Sequence, residues 1–359
     1  MAPRRRASAR QRNKRKLVIF AVELVLLCIL LVVFWGAIKL SKINTEKTDA
    51  AKTNEDLSED ALEKMGKYTT VALLGLDNRS NGSYETGNAD SIIIASIDND
   101  TKEVKLASVY RDTYLMVTED GKYSKINSAY SRGNGPMGMV EALNRNLDLD
   151  IQRYVTVDWK ALARTINLLG GIDVELTAKE AQQVNKYVNK DVMKVTGYTT
   201  DNVAVEGPCH LDGVQAVSYA RIRKGVGDDF KRTERQREVI QKMLAKMKKC
   251  GIGTLNNIMD EVFPMISTNF SKTEILGMLG DVVSYDIVAT KGFPEDNDGK
   301  SMGRSGSCII PISLLTNVQK LHAFLFDDEE YVPSVTLQQI SNKIIQESGL
   351  APKPDEGSN

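Results

Sequence analysis

TTVALLGLD (Thr69–Asp77), DSIIIASID (Asp90–Asp98) and EVKLASVYR (Glu103–Arg111) follow one another with only polar interruptions. Each run is apolar and rich in β-branched residues and is bounded by charge, so the three read as strands, the first two apolar enough for the middle of a sheet. Downstream, Met137–Leu147 has helical spacing, YVTVDW from Tyr154 reads as a strand, Lys160–Leu169 as a helix ending at Gly170-Gly171, and IDVEL as a further strand. This rhythm predicts an α/β fold: a single α-β-α domain with a central mixed β-sheet. Asp212–Arg221 and Thr233–Lys249 carry apolar residues at helical intervals. A strand pair is expected near Tyr285–Thr290 and Cys308–Ile312, and a short helix over Thr336–Glu347 ahead of a disordered tail.

Upstream of the first strand the composition changes twice. Arg4, Arg5, Arg6, Arg10, Arg12, Lys14, Arg15 and Lys16 precede any acidic residue, and without these eight the chain has 39 basic residues against 47 acidic ones. The apolar run Leu17–Leu40, broken by Glu23 and Lys39, is long enough to cross a bilayer. Basic residues gather on the cytoplasmic side of such a helix, so 1–16 is expected inside the cell, 17–40 as an uncleaved anchor and the rest outside. A signal peptide is the competing reading, but Trp35-Gly36-Ala37 is a poor cleavage site. The polar stretch 41–67 reads as an extracytoplasmic stalk, 68–330 as the catalytic domain and 331–359 as a C-terminal helix and tail.

Only His210 and His322 occur, and neither sits in a nucleophile signature, which argues against a Ser-His-Asp hydrolase or a His-rich zinc site. The G-x-G-x-x-G at Gly133–Gly138 lacks a preceding strand and reads as a tight turn opening a helix. The one basic run is a short tail that anionic lipid explains, so nucleic acid is not an expected partner. Cys209, Cys250 and Cys308 fall in the exported part, where a Cys250–Cys308 bridge is compatible with the compartment. The remaining signal is a set of acids and arginines at strand ends: Asp77 and Arg79, Asp90, and Arg111-Asp112. A second set lies in YARIRKGVGDDFKRTERQ, where Arg221, Arg223, Arg232 and Arg235 alternate with Asp228, Asp229 and Glu234. Arginine forks match phosphate oxygens and carboxylates hold hard cations, so these residues suit a pyrophosphate with magnesium; surface ion pairs along a helix give the same pattern.

Seven short strings in order, VALLGLDNR, NADSIIIASID, VKLASVYRDTYL, KINSAYSRG, LLGGIDVEL, HLDGVQAVSYARIR and DDFKRTERQREVI, resemble the motifs of the LytR-CpsA-Psr family over roughly 70–241. The resemblance implies a membrane-anchored phosphotransferase that moves a teichoic acid, capsule or similar glycopolymer from a polyprenyl-pyrophosphate carrier to peptidoglycan, with Mg2+. It assigns metal and pyrophosphate organisation to Asp77 and Asp90, and pyrophosphate contact to Arg111, Arg221, Arg223, Arg232 and Gln236. Lys125 and Asp229 are lesser members. One departure is Asn88, where the family's second motif usually has arginine: either Arg79 or a polar contact replaces it, or affinity for the diphosphate is reduced.

The family sheet also shelters the polyprenyl chain. If that carries over, Ile92, Ile94, Val104 and Leu106, with Val214, Val217 and Tyr219, are candidate walls, although ordinary core packing accounts for the same residues. The alternatives to transfer are hydrolysis of the same lipid diphosphate and a non-catalytic polyprenyl-phosphate-binding or envelope regulatory protein.

Overall fold

Seven strands hydrogen-bond into one mixed sheet: β1 (Asn44–Thr45), β2 (Tyr68–Leu76), β3 (Ala89–Asp98), β4 (Glu103–Val109), β5 (Arg153–Asp158), β6 (Ile266–Thr268) and β7 (Asp286–Phe293). This computed structural model describes residues 41, 44–46, 48–77, 84, 87–203, 206–223, 227 and 229–352. The strand order is β1-β6-β5-β2-β3-β4-β7. β3 is antiparallel to both β2 and β4, whereas β5 runs parallel to β2 and β7 parallel to β4. The expected α/β fold with a central mixed sheet is therefore present.

The unbroken Ile92-Ile93-Ile94 run is explained by burial on both faces. Ile92 and Ile94 enter a core with Leu74, Ala107 and the helices α2 (Gly135–Leu147), α9 (Leu314–Phe326) and α10 (Val335–Ser348). Ile93 points the other way and packs with Val71, Ala95, Val104, Leu106 and Phe270. A further cluster joins α3 (Trp159–Leu168), α4 (Ala178–Tyr187) and α5 (Gly213–Tyr219) to the hairpin 172–176/207–211. α6 (Asp229–Met247) borders both of the latter clusters through Val239 and Ile240. α7 (Ile252–Glu261) and α8 (Lys272–Gly280) follow it.

Several expectations change. The stretch 41–67 is not a free stalk: β1 pairs with β6, the Ala51 N–H donates to Gln152 Oε1 at 2.8 Å, and α1 (Glu59–Gly66) buries Ala61 and Met65 in the main core. So few large apolar side chains are involved that hydropathy does not register the docking. The C-terminal helix likewise belongs to the domain, with Leu337, Ile340 and Ile344 buried in the same core. The expected strand pair does not form. β7 extends the main sheet beside β4, and Ser307–Pro311 pairs with Asn297–Ser301. Cys250 and Cys308 are free thiols, which removes the Cys250–Cys308 bridge.

Gly133–Gly138 is a packing turn, since a Cβ on Gly138 would approach the Gly133 Cα to 2.7 Å. The expected anchor at 17–40, the tail 1–16, Arg79 and the last seven residues lie outside the described residues. Among the described residues no helix is long and apolar enough to cross a membrane.

Candidate active site

Antiparallel pairing brings the charged strand ends together. Leu76 at the end of β2 stands opposite Ala89 at the start of β3, and the same pairing returns the end of β4 to that edge. Asp77, Asp90 and Arg111 therefore meet although 34 positions separate the first from the last. Across the edge lie Arg221 and Arg223, just past α5, and the first turns of α6 with Asp229, Arg232 and Gln236.

Arg111 Nη1 donates to Asp90 Oδ1 at 2.7 Å. Arg232 Nη2 donates to the Asp90 backbone carbonyl at 2.8 Å, with the Asp90 carboxylate 3.9 Å away. Asp229 Oδ1 lies 3.1 Å from Arg223 Nε, 3.5 Å from Arg232 Nη1 and 4.0 Å from Arg111 Nε. Lys125 stands one layer back: its Nζ is 3.1 Å from Asp112 Oδ1, and the other Asp112 oxygen is 3.6 Å from Arg111 Nε. Gln236 Oε1 accepts the Ser91 hydroxyl at 3.0 Å, and Asn88 Oδ1 accepts that of Ser131 at 2.9 Å.

A cleft of about 250 Å3 sits on this cluster, its lining presenting Arg111, Lys190, Arg221, Arg223 and Arg232 against Asp77, Asp90 and Asp191. Arg232 is 6% exposed. Its burial, and after that Arg223, pulls its pKa down to about 10. Burial pulls Arg111 the same way, but Asp90 and Asp112 outweigh it and hold the guanidinium above its ordinary pKa. The Nε atoms of both arginines are buried without a hydrogen-bond partner. Unmade donors beside a surplus of positive charge are the chemistry of an anion site with several acceptor oxygens. Among the described residues no group of three or more His, Cys, Asp and Glu side chains could hold a metal alone. Asp77 and Asp90 nevertheless fit magnesium, which commonly takes one or two carboxylates and completes its shell with phosphate oxygens and water.

From the same place a second, apolar cavity of about 240 Å3 runs along the sheet face, walled by Leu73, Ile93, Val155, Val157, Ile240 and Met243. It shares Asp90, Trp159, Arg221 and Arg232 with the polar cleft. Of the candidate walls only Val217 lines it. Ile92 and Ile94 lie across the sheet, because a shift of one residue in a strand exchanges faces, and Ile93 takes their place. Val104 and Leu106 are on the correct face but pack into the adjoining core. Val214 is buried in the helical cluster, and the Tyr219 hydroxyl donates to Glu238 at 2.7 Å.

The sequence did not point to Trp159, Tyr187, Lys190 or Asp191. Asp191 holds Arg221 through two contacts of 2.7 and 3.3 Å, while the guanidinium lies 3.6 Å from the centre of the Trp159 ring and 5.0 Å from that of Tyr187. Trp159 follows a strand end and was open to the strand-end rule; Lys190 and Asp191 lie on a π-helical turn, Val188–Val192, that no spacing pattern announces.

The model of the LytR_cpsA_psr family matches residues 31–302. The chain belongs to the LytR_cpsA_psr family. Among its relatives within that family, the polyisoprenyl-teichoic acid--peptidoglycan teichoic acid transferase TagV of Bacillus subtilis is 30% identical over 274 residues, 74% of this chain and 66% of the relative. The enzyme of the same description, TagU, from Enterococcus faecalis is 31% identical over 207 residues, 57% of this chain and 61% of the relative. The chain thus matches about three fifths to two thirds of these relatives' length. The crystal structure of B. subtilis TagV superposes with a TM-score of 0.58 at 26% identity, covering 74% of this chain and 99% of that one.

Proposed function

We propose that this LytR_cpsA_psr protein is a phosphotransferase that moves a glycopolymer from a polyprenyl-pyrophosphate carrier to peptidoglycan. The observation that carries the reading is the continuity of an arginine-lined cleft with an apolar cavity, sharing Asp90, Trp159, Arg221 and Arg232. Such a site suits an amphiphile with a multiply charged anionic head and a long apolar tail. The described activity of TagV and TagU, which join polyisoprenyl-linked teichoic acid to peptidoglycan, supports the same substrate class. The expected anchor at 17–40, with the N-terminus inside and the domain outside, would keep the enzyme beside such a carrier.

In this mechanism Asp77 and Asp90 would hold magnesium, which when bound withdraws charge from phosphoryl oxygens. Arg111 and Arg232, both fixed on Asp90, neutralise the diphosphate, with Arg221 and Arg223 opposite them. Asp229 sets the spacing of three of these guanidiniums, Lys125 supports Arg111 through Asp112, and Gln236 marks the passage from head to tail. The acceptor hydroxyl bonds through its oxygen to the phosphorus that carries the sugar while its proton passes to a carboxylate of the cleft, and the bond from that phosphorus to the bridging oxygen breaks. Polyprenyl phosphate leaves with the electron pair, and its new charge faces donors already in position.

A carrier-binding protein without transfer is the second reading. Asn88 favours it, because the place of the family's usual arginine is filled by an amide engaged with Ser131.

The test is an assay of the full chain with a polyprenyl-pyrophosphate glycan, peptidoglycan oligomers and magnesium, beside Asp90→Ala and Arg111→Ala. A glycan–peptidoglycan phosphodiester that falls at least about a hundredfold in both variants supports transfer. Release of free glycan without linkage replaces it by hydrolysis, and carrier binding with no turnover replaces it by the second reading.

A further inference from the structure

We propose that the end of the apolar cavity remote from the arginines rests on the lipid bilayer. The contact surface is formed by the C-terminal half of α6, the turn after it and α8. The carrier's tail would then pass from the membrane into the cavity while its head is presented on the opposite side. This rests on the reading of the cavity as a carrier site and adds a surface and a direction to it.

Length gives the first argument. α6 is the long wall of the cavity, with Arg232, Gln236, Val239, Ile240 and Met243 facing it at helical intervals. At 1.5 Å per residue, Arg232 to Met243 spans on the order of 16 Å. A polyprenyl tail of more than a few units outruns that distance, so its remainder needs another apolar medium beyond Met243.

Composition gives the second argument. Val239–Leu255 contains Lys242, Lys246, Lys248 and Lys249 but no acid, interleaved with Met243, Leu244, Met247, Ile252 and Leu255. Lysines whose stems lie along aliphatic side chains are the composition of a segment at an anionic bilayer surface. Lys246 and Lys248 do contact Asp173 and Asp286, at 3.3 and 3.2 Å, while Lys242 and Lys249 are exposed.

Exposure gives the third. Ile252 is 80% exposed, Val283 62% and Leu276 45%, and α8 has no fully buried residue. These side chains belong to one end of the molecule. The Lys248–Asp286 pair fastens the end of α6 to the start of β7, three residues past Val283. Ile275 and Met278 of α8 pack on the same sheet-face core as Ile240. Single exposed aliphatic residues are ordinary on any surface; several of them beside a lysine-rich segment, past the Met243 end of an apolar cavity, are not.

The test uses the full chain with its cysteines replaced by serine. A single environment-sensitive label is placed at Ile252→Cys, at Leu276→Cys, or at Asn342→Cys on α10 across the sheet, in vesicles of mixed anionic and zwitterionic phospholipid containing nitroxide-labelled lipid. Quenching several-fold stronger at positions 252 and 276 than at 342 is the expected result; equal quenching overturns the docking. As a second readout, Ile252→Glu combined with Leu276→Glu should slow transfer from a vesicle-embedded long-tail donor about tenfold and leave a short-tail, water-soluble donor unaffected. Equal slowing with both donors overturns the proposal. If the unsubstituted chain uses neither donor, the transferase reading fails, while the quenching pattern still decides the docking by itself.

Discussion

Asp191 reaches Arg221 from a π-helical turn, and the two contacts it makes, with Trp159 stacked behind, leave that guanidinium one orientation toward the cleft. A hydrogen bond between charged groups contributes on the order of 1.5–3 kcal/mol. Asp191→Ala should therefore lower kcat/KM for the carrier substrate by about 10- to 100-fold with the fold intact, and Asp191→Glu should recover part of it; steady-state kinetics on the three proteins checks this. His322 allows a prediction about stability. It is buried beneath Tyr331 with Nε2 2.9 Å from the Leu147 carbonyl oxygen, and burial pushes its pKa from 6.5 down to about 4. Between those values the unfolded chain binds the proton and the folded one does not. The stability of the neutral form is thus complete above about pH 6.5 and falls as pH drops toward 4, by up to about 3 kcal/mol. His322→Phe should flatten that part of the melting temperature against pH. At this scale Asp77, Asp90, Arg111, Arg221, Arg223 and Arg232 were legible because charge at strand ends and within ordered motifs stands out in an apolar sequence. Asp191 was not, because its relation to Arg221 exists only once α4 and α5 are packed, and Ile93 was displaced by Ile92 and Ile94 because three successive isoleucines give no sign of which face is which.

α5 delivers Arg221 and Arg223 to the cleft, and its position depends on Gly213, the residue after the Asp212 cap. A Cβ at Gly213 would overlap the backbone carbonyl of Ala163 in α3, where no flexible side chain can yield. Gly213→Ala should destabilise the fold by about 1–3 kcal/mol and weaken carrier binding besides, since α5 must move away from α3 and takes both arginines with it; denaturant unfolding and a binding titration read the two effects separately. The elements themselves were largely readable: β2 to β5, α2, α3, α5 and α6 follow from apolar period and caps. Their partners were less so. A period-two pattern announces a strand but not its neighbour: the spacing suggests 308–312 as the partner of β7, whereas the sheet sets β7 beside β4. β6, three residues long, and β1, with two, are too short to carry a period at all.

Over the whole molecule, the segment before β2 closes the domain and does not simply tether it. Asn54 Nδ2 donates to Asp148 Oδ1 at 2.5 Å. Asp148, fully buried, also accepts the Tyr331 hydroxyl at 2.6 Å and both the backbone N–H and hydroxyl of Ser334. Lys64 pairs with Asp328 at 2.8 Å, Asp56 accepts from Thr336, and Glu46 accepts the Tyr154 hydroxyl at 3.0 Å. One buried carboxylate thus holds the N-terminal segment, the end of α2 and the approach to α10 together. Removing the segment would uncover Ala51, Ala61 and Met65 sites in the main core and leave Asp148 and Asp328 each short of a partner. Burying one methionine side chain alone contributes about 1.5–3 kcal/mol, and a domain of this size loses about 2–4 °C of melting temperature per kcal/mol. A chain beginning at Thr69, where the strand pattern starts, should therefore melt on the order of 10 °C below one beginning at Ser41. Equal melting temperatures in parallel thermal scans would return 41–67 to the role of a stalk; a gap of the expected size would mean that this segment is part of the folded domain, held there by Asp148 and by the core around Met65.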